Sequence, residues 1–127
     1  MTPQAAIAML DRQLAKHGAD CILRRIVGTG ANTMPVDVTV RARVDAYAKE
    51  ELVNDIAETD SKVVMSPTQI SAAQWPGGEL PSLSVVDPSL PRRNDKLVVD
   101  GRVRNIEFVD PVTLAGELVR IEMRISG

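Results

Sequence analysis

The sequence predicts a mainly β fold: a small six-stranded antiparallel β-barrel with an N-terminal helix, a short second helix and a long flexible inserted loop. Three stretches carry that expectation. Residues 36–45 (VDVTVRARVD) alternate without a break, Val36, Val38, Val40, Ala42 and Val44 on one side and Asp37, Thr39, Arg41, Arg43 and Asp45 on the other. Such period-two alternation means a strand with one buried and one wet face, and a slip of one residue would turn every valine outward. Asp100-Gly101 stands between two runs rich in Val and Ile, the pattern of a two-residue type I′ hairpin whose centres both need φ > 0. Residues 95–126 (DKLVVDGRVRNIEFVDPVTLAGELVRIEMRIS) then read as a three-stranded meander with one face to bury. About six strands in so short a chain favour a closed or nearly closed barrel, because closure removes sticky edges.

The totals set the bounds. A chain of 127 residues makes one domain, here 1–127, with the helix over 1–18 and the barrel over 20–127. Apolar residues make up 44% and aromatic residues only 2%, namely Tyr47, Trp75 and Phe108, so the core has to be aliphatic. A net charge of −2 implies no global attraction to nucleic acid or to an anionic membrane. Cys21 is the single cysteine, which rules out an internal disulfide and suits a reducing compartment. Charges at Asp11, Arg12 and Lys16 interrupt the apolar residues too early for a signal peptide. No apolar run approaches the ~20 residues of a membrane helix. The expectation is a soluble protein, cytosolic at synthesis, with no membrane partner.

Thr2-Pro3 opens the first helix, since Thr is a good N-cap and Pro at the first position loses no bond. Ile7, Leu10 and Leu14 form one apolar stripe; Lys16 and His17 suit the negative end of the dipole; Gly18 follows as the C′ residue. The stripe either packs the helix over the open end of the barrel or docks it on a neighbouring subunit. Residues 20–27 (DCILRRIV) form a strand and residues 28–33 (GTGANT) a loop. GTG here is no phosphate loop, for it lacks the Walker lysine and leads into a strand.

Residues 46–60 (AYAKEELVNDIAETD) set Glu50, Glu51, Asp55, Glu58 and Asp60 against the lone Lys49, with Leu52, Val53 and Ile56 at helical spacing. This acidic insert is far longer than a hairpin loop, and is read either as a mobile functional element or as a solvated excursion. Residues 61–66 return as a strand. Ser66-Pro67-Thr68-Gln69 fits the capping box for one or two helical turns through Ile70 to Gln74. Trp75 either closes the barrel as a lid or anchors an interface. An extended connection over 76–94 holds four prolines and two glycines, and its Arg92-Arg93 pair is read as solvated loop rather than phosphate site.

The closing strands are expected at 96–99, 102–109 and 117–125, with a second turn at Asp110-Pro111 that closes at Gly116. Leu97, Val99, Val103, Phe108, Leu118 or Val119, Ile121, Met123 and Ile125 are placed inside. Arg102, Arg104, Glu107, Arg120, Glu122 and Arg124 are placed on the wet face.

One histidine and one cysteine supply neither a zinc cluster nor a Cys–His nucleophile pair. No serine sits in a nucleophile elbow, no calcium-loop spacing appears, and three scattered aromatics offer no stacking platform for single strands. The residues therefore predict no enzyme, no cofactor and no metal, and favour a structural or interaction protein.

Several segments together resemble a known family: Ser71-Ala72-Ala73-Gln74-Trp75-Pro76, the connection ending in Arg92-Arg93-Asn94-Asp95, the hairpin from Lys96 to Arg102, Ile106 to Pro111, and the terminal run from Gly116 to Gly127. They are similar to the small head–tail joining proteins of tailed bacteriophages, also called head completion or stopper proteins. The resemblance covers roughly the C-terminal 60 residues well and the strand–insert–strand before them more loosely. It implies a six-stranded barrel assembled with further copies of itself as a ring, possible as a monomer before assembly. The ring would sit between the portal or its adaptor and the tail tube or tail-terminator protein. Its loops would plug or line a channel through which DNA passes without specific binding. By that analogy the insert orders on contact, so the interaction residues are Tyr47, Glu50, Glu51, Leu52, Val53, Asp55, Ile56 and Glu58, with Trp75 and the helix residues Ile7, Leu10 and Leu14. The protein would occupy the host cytoplasm during assembly and then the virion. The alternative is a small barrel module that binds nucleic acid or a peptide, which a basic groove on the folded surface would favour.

Overall fold

The computed structural model describes residues 2–28, 30–46, 60–73, 75 and 90–127. Its elements are α1 (Pro3–His17), β1 (Ala19–Val27), β2 (Met34–Ala46), β3 (Ser61–Met65), α2 (Thr68–Ala73), β4 (Lys96–Val99), β5 (Arg102–Leu114) and β6 (Glu117–Ser126). The six strands close into an antiparallel barrel in the order β1-β2-β3-β6-β5-β4, with β4 pairing back onto β1.

The alternation of β2 became its register. Val38, Val40 and Ala42 lie inside, opposite Leu23, Cys21 and Ala19 of β1. Leu23, Leu97, Ile121, Ile125, Val40 and Val63 show no exposed surface, and burying such a side chain contributes roughly 2 kcal/mol. The interior is thus filled with aliphatic side chains and leaves no channel through the barrel. Ile70 of α2 and Trp75 join this core, and the Trp75 Nε1–H donates to the Val36 carbonyl at 2.9 Å. Trp75 is the lid.

Helix α1 does not pack over the open end of the barrel. Thr2 caps it, its Oγ1 accepting from the Ala5 N–H at 3.1 Å. Its buried residues Leu10 and Leu14 stand outside the interior cluster. They share a cavity with Val64, Arg43 and Glu122, whose strand neighbours point inward, so α1 lies on the outer wall of β2, β3 and β6. Arg41 on that wall reaches the helix end, donating to the carbonyls of Leu14 at 2.9 Å and Ala15 at 3.1 Å. Asp11 accepts from the hydroxyls of Ser66 at 2.5 Å and Thr68 at 2.7 Å, which ties α1 to the β3–α2 corner.

Four local readings are corrected. Gly18 is not left-handed (φ −95°); a Cβ there would stand 2.6 Å from the Leu14 carbonyl oxygen and 2.9 Å from that of Ala42. Close approach, not positive φ, requires the glycine. The capping box forms only in part: Ser66 Oγ accepts from the Thr68 N–H at 3.3 Å, and the buried Gln69 Oε1 has no partner. Asp110-Pro111 is no turn. Strand β5 runs through it, Pro111 opposite Ile121, and the reversal falls at Ala115-Gly116 with φ of 52° and 81°.

The fourth correction concerns the faces of β5. Asp100-Gly101 does form the two-residue turn (φ 52° and 78°), pairing Val99 with Arg102, Val98 with Val103 and Leu97 with Arg104. Directly paired residues share a face, so with Leu97 inside, Arg104 turns inward and Val103 outward, 51% exposed. A register shift between Ile106 and Phe108 then leaves Phe108 outside as well, 59% exposed.

Candidate functional site

Three places on the barrel bring chemistry together, and the first is the root of the acidic insert. Ala46 of β2 pairs with Ser61 of β3, so the chain leaves and re-enters the barrel at one point on its rim. Asp60 is buried there, with Arg124 Nε at 3.8 Å. Arg104, turned inward by the hairpin register, donates from Nη1 to Ser61 Oγ at 2.9 Å. Burial, and secondly the nearby Arg102, lower the Arg104 guanidinium from its ordinary value, while Asp60 opposes them. It stays charged at neutral pH.

The second place is the furrow along the outer wall. A cavity of about 420 Å³ lies between α1 and β2, β3 and β6. A shallower one of about 200 Å³ continues it toward Phe108, sharing Lys62, Val64 and Glu122. Its charges are largely matched locally, Arg43 to Asp45 at 2.8 Å and Arg120 to Glu122 at 3.4 Å.

The third is a cleft of about 540 Å³ between residues 26–28 and the turn from Arg92 to Asp95. Arg25 and Asp95, both buried, form its floor. Arg25 Nη2 lies 2.8 Å from Asp95 Oδ2, its Nε lies 3.1 Å from Oδ1, and Nη2 also donates to the Leu90 carbonyl at 3.0 Å. The guanidinium carbon stacks 4.5 Å from the centre of the Trp75 ring. Asp95 then holds the turn, accepting from the Arg92 N–H at 3.1 Å while its own N–H donates to the Arg92 carbonyl at 3.0 Å. Sequence reasoning missed this network. Asn94-Asp95 between loop and strand hinted at a turn, but nothing local paired Asp95 with Arg25.

Of the expected interaction residues, Ile7, Leu10, Leu14 and Trp75 are among the described residues. Leu10 and Leu14 are buried and Ile7 half-buried on the chain's own wall, and Trp75 is 2% exposed under Arg25. Tyr47, Glu50, Glu51, Leu52, Val53, Asp55, Ile56 and Glu58 lie outside the described residues, as does Gln74. Among the described residues no three His, Cys, Asp or Glu side chains gather as a metal site, and no helix is long and apolar enough to cross a membrane.

No family model, no curated protein and no solved structure matches this chain.

Proposed function

We propose that this protein is a structural component that joins head to tail in a bacteriophage or prophage particle, one of several copies in a ring at the portal–tail interface. The observation that supports this reading best is the layout of the barrel. The segments that resemble the stopper family, from the Arg92–Asp95 turn through β6, form one side of a closed six-stranded barrel. The acidic insert departs from a single point on the rim between the paired Ala46 and Ser61.

The filled interior adds a physical condition. DNA cannot pass through one copy, so the channel of this reading runs between copies, and the loops at the rim are what face it. Carboxylates at Glu50, Glu51, Asp55 and Glu58 would line such a channel without gripping the phosphates that move past. Ordering the insert on docking would cost conformational entropy and so make assembly sequential.

The test is an assembly assay with emptied heads and tails from a matching host, using the protein and a variant lacking residues 47–59. The reading expects the full chain to restore infectious joined particles and the deletion, though still folded, to fail. Undiminished joining by the deletion removes the insert from the mechanism. Failure of the full chain to bind heads at all removes the reading.

A further inference from the structure

We propose that the cleft between residues 26–28 and the turn from Arg92 to Asp95 is a contact site for the phosphodiester backbone of nucleic acid, indifferent to sequence. The argument begins with its floor. Arg25 is matched to Asp95 and to the Leu90 carbonyl, so the floor carries no net charge. The walls differ. Arg92 and Arg93 are exposed, and among the described residues neither guanidinium has a hydrogen bond or an ion pair. Several strand arginines lie against carboxylates, Arg24 on Asp37 at 2.9 Å, Arg41 on Asp20 at 3.3 Å and Arg43 on Asp45 at 2.8 Å, whereas Arg102 of β5 is exposed and has no such partner among the described residues. In a chain with more carboxylates than cations, two adjacent unmatched arginines at the mouth of one cleft are a local positive surface against the overall charge.

The turn that carries them is held firmly. Asp95 clamps the Arg92 backbone from both sides, the Asn94 N–H donates to the Ile106 carbonyl at 3.1 Å, and the Ile106 N–H donates to that of Asp95 at 3.0 Å. Only side-chain freedom is lost on binding, which keeps the entropic cost low. A guanidinium presents a planar fork that matches phosphate oxygens, which gives the class of ligand. Nucleic acid is favoured over a mononucleotide because among the described residues no aromatic side chain lines the cleft, and the Trp75 ring lies beneath Arg25. A base would have nothing to stack on.

Two phosphate contacts make weak binding with a defined salt dependence, a slope of about −1.8 in log affinity against log salt. Repetition over several copies on one duplex would raise it through effective concentration. The inference stands on the cleft and not on head–tail joining. A protein that binds duplex here but never joins particles would leave it standing, and one that joins particles without touching duplex would overturn it alone.

The experiment titrates isotope-labelled protein with a mixed-sequence DNA duplex at low salt, following backbone amides by NMR and affinity by fluorescence anisotropy. Amides of Ile26, Val27, Gly28 and residues 92–95 should shift first. Arg92→Gln/Arg93→Gln should lose about tenfold or more in affinity and flatten the salt slope by about 1.8. Arg12→Gln/Lys16→Gln, which removes the same charge from the exposed side of α1, should stay near the parent. Equal loss in both double variants, shifts away from the cleft, no binding, or tighter binding of inorganic phosphate or a mononucleotide than of duplex would each overturn the proposal.

Discussion

Arg25 and Asp95 stand 70 positions apart and meet in a buried forked ion pair, with side-chain exposures of 5% and 7%. One belongs to the end of β1, the other to the turn that leads into β4, and between them they join the two edges along which the barrel closes. Removing one partner leaves the other charged and buried, at a cost of about 3–5 kcal/mol. Asp95→Asn and Arg25→Met should therefore each lower the urea midpoint sharply, and a paired apolar replacement such as Arg25→Met/Asp95→Leu should recover much of the loss. Double-variant stability equal to the sum of the singles would mean that the two side chains do not act together.

The Asp100-Gly101 turn tests backbone conformation free of packing. Gly101 sits at φ 78° with nothing within 4 Å of where a Cβ would stand. Gly101→Val should lose about 1–2 kcal/mol by the penalty for a left-handed residue alone, while Gly101→Asn should lose little, since Asn tolerates that region. Thermal melts of the two variants would separate them.

Gly18 gives the opposite case. Its φ suits any residue, yet a Cβ would meet two carbonyl oxygens under 3.0 Å away. Gly18→Ala should destabilise by about 1–3 kcal/mol, as overpacking does, with the α1 amides showing the largest change in hydrogen exchange. An unchanged melt would show that α1 can move off the wall without loss.

The faces of the barrel can be checked by charge. Val40→Asp places an unpaired carboxylate at a position with no exposed surface and should abolish folding. Phe108→Asp, at a position 59% exposed, should stay folded within about 0.5 kcal/mol of the parent. Collapse of the second variant would return Phe108 to the core.

Cys21 gives a prediction in pH. Desolvation raises its thiol above the ordinary value, with smaller contributions from Asp100 and Asp20 that Arg41 opposes. A raised folded value means the unfolded chain gives up the proton first. The associated stability is whole below the ordinary thiol range and lost as pH climbs through the folded value. Urea midpoints from pH 8 to pH 10 should fall further for the parent than for Cys21→Ala, and an aromatic disulfide reagent should modify the thiol only as the protein unfolds. Rapid labelling of the native protein would contradict its 2% exposure.

Much of the barrel was legible in the chain because its signals are local. The alternation of β2, the Thr2 cap, the Asp100-Gly101 turn and the helical start after Ser66 each depend on residues within a few positions. The outward turn of Val103 was legible too, since a two-residue turn obliges Val98 and Val103, and Leu97 and Arg104, to share faces. Hydrophobicity pointed the other way and misled. Pro111 misled likewise, because a proline reads as a stop. A strand tolerates a proline where the ladder takes no N–H from that position, and β5 runs through Pro111 opposite Ile121.

What the sequence by itself determined is the class of architecture: an aliphatic, antiparallel six-stranded barrel with two helices, dictated by period-two patterning and turn chemistry. What only the tertiary structure decided is where the elements meet. Leu10 and Leu14 look the same whether they face a barrel end, an outer wall or another subunit, because an apolar stripe records that it is buried and not against what. Asp95 and Arg25 look like any surface pair of charges until chain closure carries them together out of water, and with them the cleft that leaves Arg92 and Arg93 unmatched.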